Sequence, residues 1–466
     1  MTNTNWLRKD HSRSHTKQPL RLSLRKIGWS VHSTATDVKP YRFSSIVLAL
    51  YVFTVLVMSR LVDLARYSTA VGVLLVGIFA VEFVLTNQRK LHFPSEFIGL
   101  WFLLPILLIS YLWADVRSDV IEWSLTYFQL MVLALVTVNI LIARRTLMPL
   151  AVGFVSGMFW VIVGVLQESG GLLTVSTQER VRSALDNANY YAAALVTASF
   201  FAWYVFQQTR NRFIKLLAIV LIIVCSHQVI FFSGSRRGMI SVILAFSLYI
   251  SLCSVLARRT SPLKRITLII AASAIAIGLW TAILQTPFGS RFQNVEEDLD
   301  PSGNKQLRGS MIVTAIELWK SAPLLGKGTN QFRHYYVRIS GELFYAHNNY
   351  VELLANNGLA GVLAYYSFFA FFLNKVFRLL RRNLISRSSL AWILMIVSIM
   401  LFWDFGVVSY YSKLTWLLFA ALTALLYYEP LQIMSLDKQP GETWRFKRIL
   451  SRAGSVRQKS RGDSRR

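Results

Sequence analysis

Four stretches of this chain bring together groups that could do chemistry. Arg182 stands in VRSALDNANYYAAAL, at the entry to an apolar run; Arg236 and Arg237 are adjacent in the turn SGSRRG; Arg308 opens LRGSMIVTAIELWKSA; His347, followed by Asn348, leads AHNNYVELLANNGLAGV. A guanidinium is always charged and grips phosphate through a two-pronged set of donors. An imidazole can take up a proton near neutral pH. Arginine cannot act as a base, so among these residues that part falls to His347. Arginines with one histidine suit a substrate with a diphosphate leaving group and a hydroxyl nucleophile. Each residue also has a plainer reading. Arg182 can pair with Glu179 or Asp186, Arg236 and Arg237 can snorkel to lipid phosphates, and a lone histidine is often a surface or capping residue. Arg308 is the exception, because a cation at a helix start opposes the helix dipole, which favours a ligand role.

Other chemistries leave no trace. The chain has no P-loop, no GxSxG and no cluster of His, Cys and carboxylates at metal-ligand spacing. The acidic run EEDLD, Glu296 to Asp300, comes nearest to a cation site and reads as a solvated turn. No metal and no cofactor is expected. Cys225 and Cys253 both lie inside apolar runs and read as core residues rather than a disulfide or a metal pair.

The elements that must position these groups are membrane helices. Of 466 residues, 54% are hydrophobic and only 16% charged, where a soluble domain carries about a quarter charged. Apolar runs near the roughly 20 residues that a helix needs to cross a bilayer recur along the chain. They predict an all-α polytopic membrane protein of about twelve helices, at 43–58, 70–85, 97–113, 122–143, 146–166, 189–207, 213–232, 238–257, 264–284, 357–374, 389–408 and 411–428. No cleaved signal peptide is read, so the first helix would direct insertion. Residues 1–42 and 429–466 are basic tails flanking the helical blocks 43–284 and 357–428. With both tails in the cytoplasm, 35 of the 50 lysines and arginines fall on the inner side, as the positive-inside rule requires. The net charge of +27 then reflects topology and contact of the tails with membrane lipids, not nucleic acid. The candidate arginines and His347 fall on the outer side. There, 285–356 forms one long, partly helical loop before the tenth helix, with a tight turn at LLGKG and a short amphipathic helix that breaks at Gly358.

The ordered set SGSRRG, LRGSMIVTAIELW with PLLGKGTNQF, and AHNNYVELLANNGLAG resembles the O-antigen ligase and O-antigen polymerase superfamily, over roughly Cys225 to Phe372. That resemblance implies a fold like the C-type membrane glycosyltransferases, in the bacterial cytoplasmic membrane. It implies transfer of a glycan from an undecaprenyl diphosphate carrier to an acceptor hydroxyl at the outer face, without a metal ion. It places the family's essential turn arginine on Arg236, its loop arginine on Arg308 and its histidine on His347. Arg237 departs from the pattern, standing where many relatives have a small residue, and the basic tails match no family feature.

The expected mechanism follows. Arg236 and Arg308 hold the diphosphate and offset the charge that grows as the glycosidic C–O bond breaks. His347 takes the proton of the acceptor hydroxyl, and attack from the opposite face inverts the anomeric centre. Arg237, Arg182 and Asn348 are substrate-binding contacts. The acceptor is a glycan or a lipid-linked glycan; polymerase or general polysaccharide transfer is favoured slightly over ligation to a lipid A core, and a chain-length regulator is a possible partner. The alternative is a transporter or flippase for lipid-linked oligosaccharides, which should carry charges or Gly/Pro breaks at mid-membrane depth in several helices.

Overall fold

The computed structural model describes residues 41–58, 65–86, 90–168, 188–233, 235–256, 261–285 and 308–437, among which there are helices and turns and no strand. Helices occupy all twelve expected positions: α1 (Arg42–Met58), α2 (Ala65–Leu85), α3 (Ile98–Ile109), α4 (Arg117–Arg144), α5 (Met148–Glu168), α6 (Ala188–Gln208), α7 (Arg212–His227), α8 (Arg236–Leu256), α9 (Pro262–Leu284), α12 (Asn349–Arg381), α13 (Arg387–Trp403) and α14 (Lys413–Asp437). Between α9 and α12 lie α10 (Arg308–Ser321) and α11 (Phe332–Ser340). Among the described residues nine helices are long and apolar enough to cross a membrane, with α1 and α13 apolar but shorter. The chain is an all-α polytopic membrane protein. In hydrocarbon every backbone N–H and C=O needs an internal partner, and a helix supplies one for each.

Successive helices run up and down, so the connections fall at two ends. At the end where α1 begins and α14 finishes, the Glu82 carboxylate of α2 accepts the Phe43 and Ser44 N–H groups, both at 2.9 Å, capping α1. There too Asn139 of α4 exchanges hydrogen bonds with the backbone of His92 at 2.8 and 3.0 Å, and Lys375 pairs with the buried Glu96 at 2.7 Å. Glycines let neighbouring helices approach closely. On α5, a Cβ at Gly153 would stand 2.6 Å from the Ala49 carbonyl oxygen of α1, and one at Gly157 2.9 Å from Leu56. This is the small-xxx-small packing expected where apolar helices gain nothing from leaving lipid.

The opposite end carries α10, α11 and the candidate residues. α12 begins earlier than the expected tenth crossing, because the amphipathic segment and the crossing are one 33-residue helix broken at Gly358 (φ 63°, ψ −163°). The break exposes the carbonyls before it and the N–H groups after it. The LLGKG turn supplies the partners: Lys327 and Gly328 N–H donate to Ala355 and Asn356 carbonyls at 2.9 and 2.7 Å, while Leu359 and Ala360 N–H donate to Pro323 and Leu324 carbonyls at 2.9 and 3.1 Å. Gly326 and Gly328 hold positive φ there, and a side chain at Gly326 or Gly358 would overlap the facing backbone. Met311, Ala315, Phe332, Tyr336, Ala346 and Ala355 form a small separate core beneath α10 and α11. Thr329, Asn330 and Gln331 then anchor this layer to the α3–α4 connection: Thr329 Oγ1 meets Ser110 Oγ at 3.0 Å, Asn330 donates to Asp119 at 2.7 Å and Gln331 accepts the Val116 N–H at 2.9 Å.

The candidate catalytic site

Among the described residues, each candidate sits where a helix starts. Ser235 caps α8, its hydroxyl accepting the Gly238 N–H at 3.1 Å and donating to Asn189 of α6 at 2.7 Å. Arg236 and Arg237 therefore occupy the first turn of α8, just after the π-helical turn Gln228–Phe232 that ends α7. Arg308 opens α10, and His347 and Asn348 immediately precede α12. Helix starts offer unpaired N–H groups and the positive end of the dipole. Cations placed there are unfavourable unless an anion joins them, which is the composition of an anion site.

Two of the arginines, Arg308 and Arg237, act on His347. The Arg237 guanidinium lies against Gly406 in the α13–α14 connection, where any side chain would collide with it. Arg237 is under the influence of both Arg308 and Arg236. Burial, then the charges of Arg308 and Arg237, push the His347 imidazole down from its usual value to about 4. His347 is thus neutral at physiological pH, with a lone pair available to accept a proton.

His347 is also held in a costly backbone conformation, φ 49°, in the left-handed region. The contacts on both sides impose it. The Ala346 N–H donates to the buried Glu352 carboxylate at 2.7 Å. The Asn348 side-chain oxygen accepts the Tyr350 and Val351 N–H groups at 3.0 and 3.3 Å, capping α12. The Asn349 N–H donates to the Asp404 carbonyl at 2.7 Å, and its side-chain oxygen accepts the Ser409 N–H at 2.8 Å. Asp404 is held in turn by the Tyr366 hydroxyl at 2.7 Å, and burial lifts its carboxyl to about 7.

A cavity of about 550 Å³ opens beside His347. His347, Tyr345, Trp123, Tyr411 and Lys413 line its polar end, and it extends down among Val52, Phe154 and Leu417. The aromatic rings form one wall, with Trp123 centred 4.6 Å from Tyr411 and 6.0 Å from Tyr345. None of Arg236, Arg237 and Arg308 lines the cavity; His347 belongs to both the cavity and the group of cations. The cavity wall was not read from the sequence, because its residues come from six distant segments. The only local signal was the aromatic and lysine cluster YYSK at Tyr410–Lys413.

Arg182 and the acidic run Glu296–Asp300 lie outside the described residues. No group of three or more His, Cys, Asp or Glu side chains among the described residues could hold a metal.

Fold and site together define a polytopic membrane protein with a group of arginines and a neutral histidine at one end of its bundle. Residues 222–366 match the O-antigen ligase family model, Wzy_C, and that span is similar to the O-antigen ligase and polymerase superfamily, which the SGSRRG, LRGS and AHNNY motifs resemble. The teichuronic acid biosynthesis protein TuaE of Bacillus subtilis (strain 168) is 24% identical over 317 residues, covering 63% of this chain and 62% of the relative. The chain thus spans about three-fifths of that relative's length.

Proposed function

We propose that this protein builds a cell-envelope polysaccharide by transferring a glycan from a polyprenyl diphosphate carrier to an acceptor hydroxyl at the outer face of the cytoplasmic membrane. The observation that carries this reading is the position of His347, between the arginines at the starts of α8 and α10 and the 550 Å³ cavity. Arg236, Arg237 and Arg308 hold the donor diphosphate. The acceptor unit lies in the cavity, whose apolar lower part among α1, α5 and α14 suits an acceptor that is itself lipid-linked. His347 takes the proton from the acceptor hydroxyl as that oxygen attacks the anomeric carbon from the face opposite the leaving diphosphate, so configuration inverts.

The electrostatics make the base depend on the donor. In the empty site the arginines keep His347 weakly basic. A bound diphosphate offsets their charge and raises the imidazole's proton affinity when the proton must move. The arginines then stabilise the charge that develops on the departing diphosphate.

The match to an O-antigen ligase model and the likeness to a teichuronic acid biosynthesis protein support this class of reaction. The test uses the purified chain in lipid vesicles with one lipid-linked repeat unit and no other acceptor, products being resolved by size. A ladder of lengthening glycans identifies a polymerase. A single transfer seen only after a separate acceptor lipid is added identifies a ligase. Passage of the intact donor across the vesicle membrane, with no new glycosidic bond, contradicts the proposal in favour of a transporter.

A further inference from the structure

We infer that Lys413 is a specificity residue for an acidic glycan, its ammonium receiving an anionic substituent of a sugar stacked in the His347 cavity. This rests on the transferase reading and names the substrate class. Lys413 opens α14 and lines the cavity two residues after Tyr411. Its ammonium has one partner among the described residues, the Ser68 hydroxyl of α2 at 2.8 Å, and no carboxylate. The contrast within this molecule is direct. Lys375, at the other end of the bundle, is also partly buried but pairs with Glu96 at 2.7 Å and lies 3.1 Å from the centre of the Tyr427 ring. A half-buried ammonium given only a neutral oxygen has lost water without gaining a counter-charge. A ligand in the cavity supplies that charge.

The cavity indicates what kind of ligand. Trp123, Tyr345 and Tyr411 line it with aromatic surface beside the Lys413 ammonium and the His347 imidazole, a combination that matches a pyranose, whose C–H faces stack on aromatic rings while its hydroxyls take hydrogen bonds. Arg333 holds this wall from outside, its guanidinium donating to the Tyr345 hydroxyl at 3.1 Å and lying 5.2 Å from that ring's centre. A neutral sugar would leave Lys413 unpaired, whereas one bearing a carboxylate would pair with it. Lys413 does not belong to the cation group at His347, whose acting charges are Arg308 and Arg237.

The test measures binding to the full-length chain in lipid nanodiscs, with two disaccharides of glucuronate and N-acetylhexosamine that differ only in reduction of the carboxylate to the alcohol. The wild-type chain should bind the acidic disaccharide about tenfold or more tightly, the scale of one charge-assisted hydrogen bond. K413Q should bind the two alike, and K413R should restore the preference. A wild-type chain that shows no preference, or a K413Q chain that keeps it, overturns the inference. Farnesyl diphosphate, which carries no sugar, separates the two anion sources. Binding that R308Q weakens and K413Q leaves intact assigns the diphosphate to the arginines and supports the inference. Binding that K413Q weakens as much as R308Q makes Lys413 a carrier contact and overturns it. A wild-type chain that ignores farnesyl diphosphate but discriminates between the sugars contradicts the proposed transferase and leaves the Lys413 assignment standing.

Discussion

At the scale of single residues, the proposed chemistry rests on one neutral imidazole beside fixed positive charge. His347 is depressed to about 4 by burial and by Arg308 and Arg237, so its proton-accepting form is present above that pH and lost below it. The free protein governs kcat/KM, whose acid limb should therefore fall well below the ordinary histidine range. The donor-bound protein governs kcat, and the diphosphate's negative charge should move that limb to higher pH. R308Q removes one of the depressing charges and should raise the kcat/KM limb while cutting kcat by roughly 100-fold, the usual loss of one electrostatic contact to a developing charge. Coincident acid limbs in wild type, or a downward shift in R308Q, would contradict this electrostatic assignment.

At the scale of elements, the break in α12 joins the helix that follows His347 to the LLGKG turn. Gly358 adopts a conformation essentially open only to glycine, and the LLGKG turn fills the gap in the helix ladder. G358A should cost on the order of 1–3 kcal/mol in backbone strain alone, with more from overlap with Leu324. The expected result is a lower thermal midpoint and early proteolytic cleavage between α10 and α11, with the transmembrane helices still inserted. Unchanged protease resistance in a folded G358A chain would show that the turn does not hold the loop. The elements were legible in the sequence to different degrees. Helices lie at each long apolar run because run length is a local signal, and the break was legible because glycine allows few other readings. α11, with the sequence FRHYYVRIS, was not read. Its burial depends on Phe332 and Tyr336 reaching Met311 and Ala315 of α10, and no period or run length records such a contact. Asn348 read as a substrate contact, whereas the structure engages its side-chain oxygen as the α12 cap. Arg236, Arg237, Arg308 and His347 stood out as candidates because arginine and histidine are conspicuous at the ends of apolar runs. Trp123, Tyr345 and Tyr411 were not, because aromatic residues are common throughout a chain that is 13% aromatic.

At the scale of the whole molecule, the helices carry the site to one end and begin and finish the described chain at the other. The excess of lysine and arginine on the latter side sets the expected orientation, site outward and termini in the cytoplasm. In a chain whose native cysteines are replaced by serine, a cysteine at the exposed Glu342 should react with an impermeant thiol reagent on intact cells. One at the exposed Arg382 should react only after permeabilisation. The reverse pattern would turn the molecule over and remove the site from the outer face.

The central claim, that His347 takes the acceptor proton while arginines hold the leaving diphosphate, is tested most directly by measuring release of carrier diphosphate from a saturating lipid-linked donor in the presence of acceptor. H347A should bind the donor with near wild-type affinity and release carrier diphosphate at least 100-fold more slowly, the loss expected for a missing general base. Release from a folded H347A chain at close to the wild-type rate would contradict the account.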